Sequence, residues 1–211
     1  MMRLTDVVKN LLIVNVVIYV VVAMIMPNLA PYFTLFYPGN EEYFMPIQLV
    51  THMFMHGSPT HIFFNMFALY MFGPPLENYM GPKKFFIYYL LCGFGAVALH
   101  MGVWYFELSG LTAGTEAYSS IYYGSVVGAS GAVFGLLAGF GTLFPETKLM
   151  LLFPPIPIKA KWFVLLYGAL ELFLGVGNFN TGIAHFAHLG GAVFGFLLIQ
   201  YWRKNGNLFN R

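Results

Sequence analysis

The chain has 211 residues, of which 59% are hydrophobic and 9% charged, where an ordinary soluble domain carries about 25% charged residues. With a mean hydropathy of +0.71, this composition excludes a water-soluble globule and predicts one integral membrane domain over residues 1–211. The net charge is only +2, and no nucleic-acid partner is expected.

A bilayer core takes roughly 20 helical residues to cross. Apolar stretches of that kind are expected at about 8–26, 61–80, 85–106, 126–144, 162–177 and 184–202. This predicts an all-α membrane protein with six transmembrane helices and both termini on one side. All ten Lys and Arg residues fall on that side: at the two ends, in the 2–3 turn (Lys83, Lys84) and in the 4–5 loop (Lys148, Lys159, Lys161). The loops 27–60, 107–125 and 178–183 carry none, so the positive-inside rule makes the basic side cytoplasmic. No A-x-A-type cleavage site follows the first span; Met26-Pro27-Asn28 comes next. A retained first span is therefore expected. The absence of a presequence and the compact six-span core point to a bacterial inner membrane.

The loop 27–60 between spans one and two is long and not polar. Phe33, Phe36, Tyr37, Tyr43 and Phe44 suit a segment lying in the membrane interface. Thr51 to Met55 is expected as a short helix within it. In span three, Cys92 is the single cysteine, read as a small core residue. Spans four and six carry glycine at a spacing of four: Gly131, Gly135 and Gly139, then Gly191 and Gly195. Such stripes let helix backbones approach closely in lipid. Between spans four and five, Phe153-Pro154-Pro155-Ile156-Pro157 cannot be helical throughout.

Polar side chains inside spans are expensive and default to functional candidates. Four stand out: His61 and Asn65 in span two, Ser130 at the start of span four and His188 in span six. A lone intramembrane serine or histidine is usually a packing or hydrogen-bonding residue. These four, however, all lie near the non-cytoplasmic ends of three different helices. Peptide hydrolysis needs a nucleophile, a base within hydrogen-bond reach, and donors for the developing oxyanion. Ser130 lies in Gly128-Ala129-Ser130-Gly131, whose glycines permit a tight entry into the helix. A helix start also offers unpaired N–H groups, including that of Ser130. His61 and Asn65 are four apart and share a helix face. His188 shares a face with Gly191 and Gly195, so packing of that face on the glycines of span four would bring the imidazole to Ser130. Phe134, one turn after Ser130, is placed either to stack on the imidazole or simply to pack.

These residues resemble the rhomboid family of intramembrane serine proteases. The resemblance joins a GxSG motif (Gly128-Ala129-Ser130-Gly131), an AHxxG motif (Ala187-His188-Leu189-Gly190-Gly191) and HxxxN (His61 to Asn65). Thr51-His52 and the Gly73, Glu77, Gly81 run also resemble family segments, so that the likeness covers about residues 43–200. It implies a six-helix rhomboid-like bundle with Ser130 as nucleophile and His188 as general base. The implied pair is a dyad without Asp, and no Asp follows Asp6 in this chain. Glu77, Glu146 and Glu171 are read as lying toward the cytoplasmic side or mid-membrane. The resemblance places His61 and Asn65, with the Ser130 N–H, at the oxyanion site; Gly128 and Phe134 are read from the residues as supporting it. It implies no cofactor, and as partners single-span transmembrane protein substrates, cleaved near the non-cytoplasmic face, and membrane lipids.

Two departures stand out. Ile47-Gln48 occupies the place of a frequent Trp-Arg pair, which puts the anchoring of the first loop in doubt. His185 lies one turn before His188, but lacks the small residues that follow His188 at the right spacing. Three other classes fit the sequence less well than a protease. His52 and His56, with His61 nearby, have a spacing that suits zinc, yet lack the adjacent Glu of a metalloprotease. A catalytically inactive rhomboid-like scaffold binding membrane clients would usually lack the serine or the histidine. A transporter would show repeated halves, and none is evident.

Overall fold

The computed structural model describes residues 4–151, 155–177 and 184–206. Among them are six helices of 14 residues or more. We label these α1 (Asp6–Val20), α2 (Pro59–Met80), α3 (Pro82–Ser109), α4 (Ser130–Leu143), α5 (Ala160–Val176) and α6 (His185–Lys204). A π-helical turn, Val21–Ile25, prolongs α1. Among the described residues, two helices are long and apolar enough to cross a membrane by themselves: α1 with its π turn (mean hydropathy 2.3) and α3 (1.7).

The architecture is not purely helical. Strand β1 (Leu35–Phe36) pairs antiparallel with β2 (Ser125–Val126), and β3 (Lys148–Met150) with β4 (Pro157–Lys159). Each ladder pairs backbone groups of loop segments that would otherwise lack regular partners. The second ladder flanks Pro155 in the proline-rich stretch, whose residues Phe153 and Pro154 lie outside the described residues, as does the loop 178–183. Lys159 and Lys161 both pair with Glu146 beside it.

Helix α4 is the centre. Its residues Gly131 to Gly141 are all buried, between α3 on one side and α6 on the other. Close approach there depends on glycine. A Cβ at Gly191 would fall 1.8 Å from the Gly131 carbonyl oxygen, and one at Gly195 would fall 2.7 Å from that of Gly135. The Tyr88 hydroxyl of α3 completes this seam by donating to the Gly135 carbonyl at 2.7 Å. The outer helices turn apolar side chains outward. On α5, Leu165, Leu166, Leu170 and Phe173 are exposed, as lipid contact requires.

The start of α1 is fixed from another helix. The Glu77 carboxylate of α2, itself buried, accepts from the Val7 N–H at 3.1 Å and the Val8 N–H at 3.0 Å. These are unpaired donors of a first helical turn, which the Thr5 side chain leaves uncapped.

Two expectations shift in detail. The stretch 126–144 becomes helix only at Ser130, because Val126 is held in β2 and Gly128 adopts φ 131°. In the long loop, the expected Thr51–Met55 helix starts earlier, at Gln48, and passes into a 3-10 turn at His52–Phe54.

Candidate active site

Each candidate side chain is positioned by a local device. At α2, the Ser58 hydroxyl caps the helix by accepting from the His61 N–H at 3.1 Å. His61 is thereby held in the first turn. Its Nδ1 faces the Gly57 N–H at 3.4 Å, so Nδ1 is the acceptor and Nε2 carries the proton. The Nε2 edge faces Gly128, where a Cβ would fall 2.8 Å from His61 Nε2 and 3.6 Å from Ser130 Oγ. Only glycine fits there, by both space and its positive φ. The loop 27–60 holds this segment in place: Leu35 pairs with Val126, and the His52 carbonyl accepts from the Gly128 N–H at 2.9 Å.

Ser130 is the first residue of α4. Its N–H and the next two therefore lack intrahelical partners, the first α4 bond being Val133 N–H to the Ala129 carbonyl at 3.0 Å. The Ser130 Oγ lies 2.9 Å from His188 Nε2. The His188 ring stacks on Phe134 at a centroid distance of 4.2 Å and an interplanar angle of 8°. Of the two placements open to Phe134, the stack is the one adopted. Ser130 also lines a small internal cavity with His52, His100 and Gly128.

Asn65 is buried on the His61 face of α2, but its amide N donates to the His61 carbonyl at 3.0 Å. One of its two donors is thus spent within its own helix. His52 and His56 do not form a ligand set with His61. His52 Nδ1 sits 2.7 Å from the Gln48 carbonyl, and the His56 ring meets the His61 ring edge-on at 5.0 Å. Among the described residues no three His, Cys, Asp or Glu side chains converge as metal ligands would. Burial pushes His52 down to about 4. Burial and the neighbouring His61 push His56 down to about 3. Both rings are neutral structural pieces at neutral pH.

Two residues escaped the sequence reading. Gln48, fully buried, ties the long loop together: its amide N donates to the Pro31 carbonyl at 2.9 Å and the Tyr43 carbonyl at 2.8 Å. Its Oε1 accepts from the Phe36 N–H at 3.4 Å. The residue that replaces the usual pair is therefore itself an anchor. The second is Glu171. Its carboxylate oxygen Oε2 lies 2.6 Å from His185 Nδ1 and 3.1 Å from His188 Nδ1. A signal was present, since Glu171 is the only acidic residue of α5 and is flanked by leucines.

Glycine-seamed helices thus bring a serine and a histidine into contact at one helix start. The family model described as Rhomboid domain matches residues 43–205. The mitochondrial Rhomboid protein 1 of Saccharomyces cerevisiae is 32% identical over 162 residues, covering 75% of this chain and 42% of that protein. The Rhomboid protease AarA of Providencia stuartii is 30% identical over 149 residues, 69% of this chain and 52% of its own. The mitochondrial presenilin-associated rhomboid-like protein of Homo sapiens is 29% identical over 171 residues, 78% of this chain and 39% of its own. The chain belongs to the rhomboid family of membrane proteins, which includes proteases, AarA among them by its name. It spans about half the length, or less, of these relatives. They come from mitochondria as well as from a bacterium, so the expectation of a bacterial inner membrane gains no support.

Proposed function

We propose that this chain is an intramembrane serine endopeptidase that cleaves transmembrane-helix substrates near the non-cytoplasmic membrane face. The observation that carries the reading is the 2.9 Å contact between Ser130 Oγ and His188 Nε2, with the imidazole stacked on Phe134. In this reading residues 1–211 form one membrane domain, α1 to α6 are its six spans, and both termini lie on the cytoplasmic side.

The Ser130 hydroxyl donates to His188 Nε2 and attacks the scissile carbonyl while its proton moves to that nitrogen. His188 then returns the proton to the leaving amine, and water, deprotonated by the same nitrogen, hydrolyses the acyl-enzyme. The oxyanion meets the unpaired Ser130 N–H and the His61 Nε2–H, with Asn65 beside them. Gly128 keeps the approach to Ser130 free of a side chain. The metal reading has no converging ligand set behind it, and a scaffold for membrane clients would need neither the Oγ–Nε2 contact nor the stack.

The test is labelling of the purified protein in detergent with a fluorophosphonate probe, alongside cleavage of a model transmembrane substrate. Wild type is expected to label and to cleave. Ser130→Ala and His188→Ala should do neither while remaining folded. Normal turnover by Ser130→Ala would end this reading.

A further inference from the structure

The environment of the second ring nitrogen of His188 points beyond a two-residue mechanism. His188 accepts a proton at Nε2 only as the neutral tautomer protonated at Nδ1. That Nδ1 is buried and makes no well-aligned hydrogen bond among the described residues. The acceptor within reach is Glu171 Oε2 at 3.1 Å, off the ideal line but at ion-pair distance. Glu171 comes from α5, its side chain only 5% exposed, and the same oxygen lies 2.6 Å from His185 Nδ1.

We propose that Glu171 is a positioning residue for His188, with His185 holding its carboxylate in place. This rests on the reading of Ser130 and His188 as nucleophile and base. The chemistry follows from proton positions. With the carboxylate ionised, both Nδ1–H groups have the same oxygen as their acceptor, His185 at hydrogen-bond geometry and His188 at ion-pair distance, and His188 Nε2 is left bare toward Ser130. When the Ser130 proton arrives at Nε2, His188 becomes an imidazolium beside a buried carboxylate. The alternative tautomer would direct a bare Nδ1 at Glu171, placing two acceptors face to face.

His185 thus has a task distinct from that of the base: it satisfies a carboxylate that would otherwise be buried with a single donor. Other groups near His188 are Ser130 from α4, His61 from α2, His100 from α3 and Tyr167, beside Glu171 on α5. None of them offers a second carboxylate.

The experiment compares Glu171→Gln, Glu171→Asp and His185→Ala with wild type, using one transmembrane substrate in detergent. Glu171→Gln presents an amide that can donate to Nδ1 and favour the wrong tautomer. A fall in kcat of about 100- to 10,000-fold is expected, with KM little changed. Glu171→Asp should recover part of the rate. His185→Ala should stay within about 10-fold of wild type, because the carboxylate still reaches His188. Nitrogen NMR of 15N-histidine-labelled wild type should show neutral His188 protonated at Nδ1. Glu171→Gln with wild-type kcat would overturn the proposal, as would neutral wild-type His188 protonated at Nε2. The NMR result decides the matter even if Glu171→Gln does not fold. If Ser130→Ala retains turnover, the site reading itself has failed. If Ser130→Ala is dead and Glu171→Gln is normal, only the positioning role is lost.

Discussion

Replacing Gly191 by alanine tests the α4–α6 seam on which the site depends. The new Cβ would stand 1.8 Å from the Gly131 carbonyl oxygen and 2.7 Å from its carbon. Both obstacles are backbone, so no side chain can swing aside. Reaching about 3 Å, the closest that such atoms tolerate, requires the helices to part by about 1.2 Å. Ser130 is the neighbour of Gly131, and His188 lies one turn before Gly191, so the separation is passed to the site. The 2.9 Å Oγ–Nε2 contact would open to about 4 Å, beyond the range of proton transfer. Overpacking of this kind costs about 1–3 kcal/mol, and a backbone clash places it near 3. A displacement of about 1 Å lowers the rate on the order of 100-fold. The assay is the rate of fluorophosphonate labelling, read beside thermal denaturation in detergent. Gly168→Ala is the control: nothing lies within 4 Å of its Cβ, and a neutral or slightly stabilising effect of about 0.5–1 kcal/mol is expected. Wild-type labelling and melting for Gly191→Ala would refute the seam as the device that sets the Ser130–His188 distance.

Four further outcomes are expected. His61→Ala should lower kcat about 100- to 1,000-fold. Asn65→Ala, with one donor already committed to the His61 carbonyl, should lower kcat only about 10-fold at similar KM; steady-state kinetics of both variants with one substrate checks this, and a pure KM effect would make Asn65 a substrate-binding residue. Gln48→Leu strands two loop carbonyls, each worth about 1–3 kcal/mol when buried without a donor; a lower melting temperature and faster proteolysis of the 27–60 loop should follow, and an unchanged loop would dismiss Gln48 as its anchor. Acidification should destabilise the fold through His52 and His56. Their folded values of about 4 and about 3 lie below the unfolded value of about 6.5, so stability is full above that pH and is lost as pH falls toward 3. Each ring contributes up to about 1.4 kcal/mol per pH unit in that window. A melting temperature flat from pH 7 to 4, or a slope that His56→Asn leaves unaltered, would contradict this.

Much of the candidate site's geometry was legible because its signals are local. Ser130 is flanked by glycines, and His188 is followed by Gly191 and Gly195, so each helix announces the face it packs. Periodicity places such a face without any knowledge of the partner. Glu171 was read as lying mid-membrane or toward the cytoplasm, and its contact with His188 was missed. That contact joins two helices across a connection, and its register is set by packing, which periodicity does not report. The start of α4 was placed early because Val126 and Val127 are as apolar as the helix that follows. Hydropathy does not distinguish a strand residue from a helical one in so short a run. Gln48 was read as a loss, since a replacement invites comparison with what it replaces. Its own two amide hydrogens and its carbonyl oxygen were sufficient to tie three loop segments.

The clamp of Glu77 on Val7 and Val8 also bears on how the chain is assembled. The first turn of α1 takes its cap from a residue 70 positions later in the sequence. While the chain is being made, that turn emerges long before its acceptor exists, and its N–H groups must be served by water or lipid headgroups. Its ordering is thus deferred until the far end of α2 has formed. In newly made Glu77→Gln chains the first turn of α1 should therefore stay open to protease for longer than in wild type.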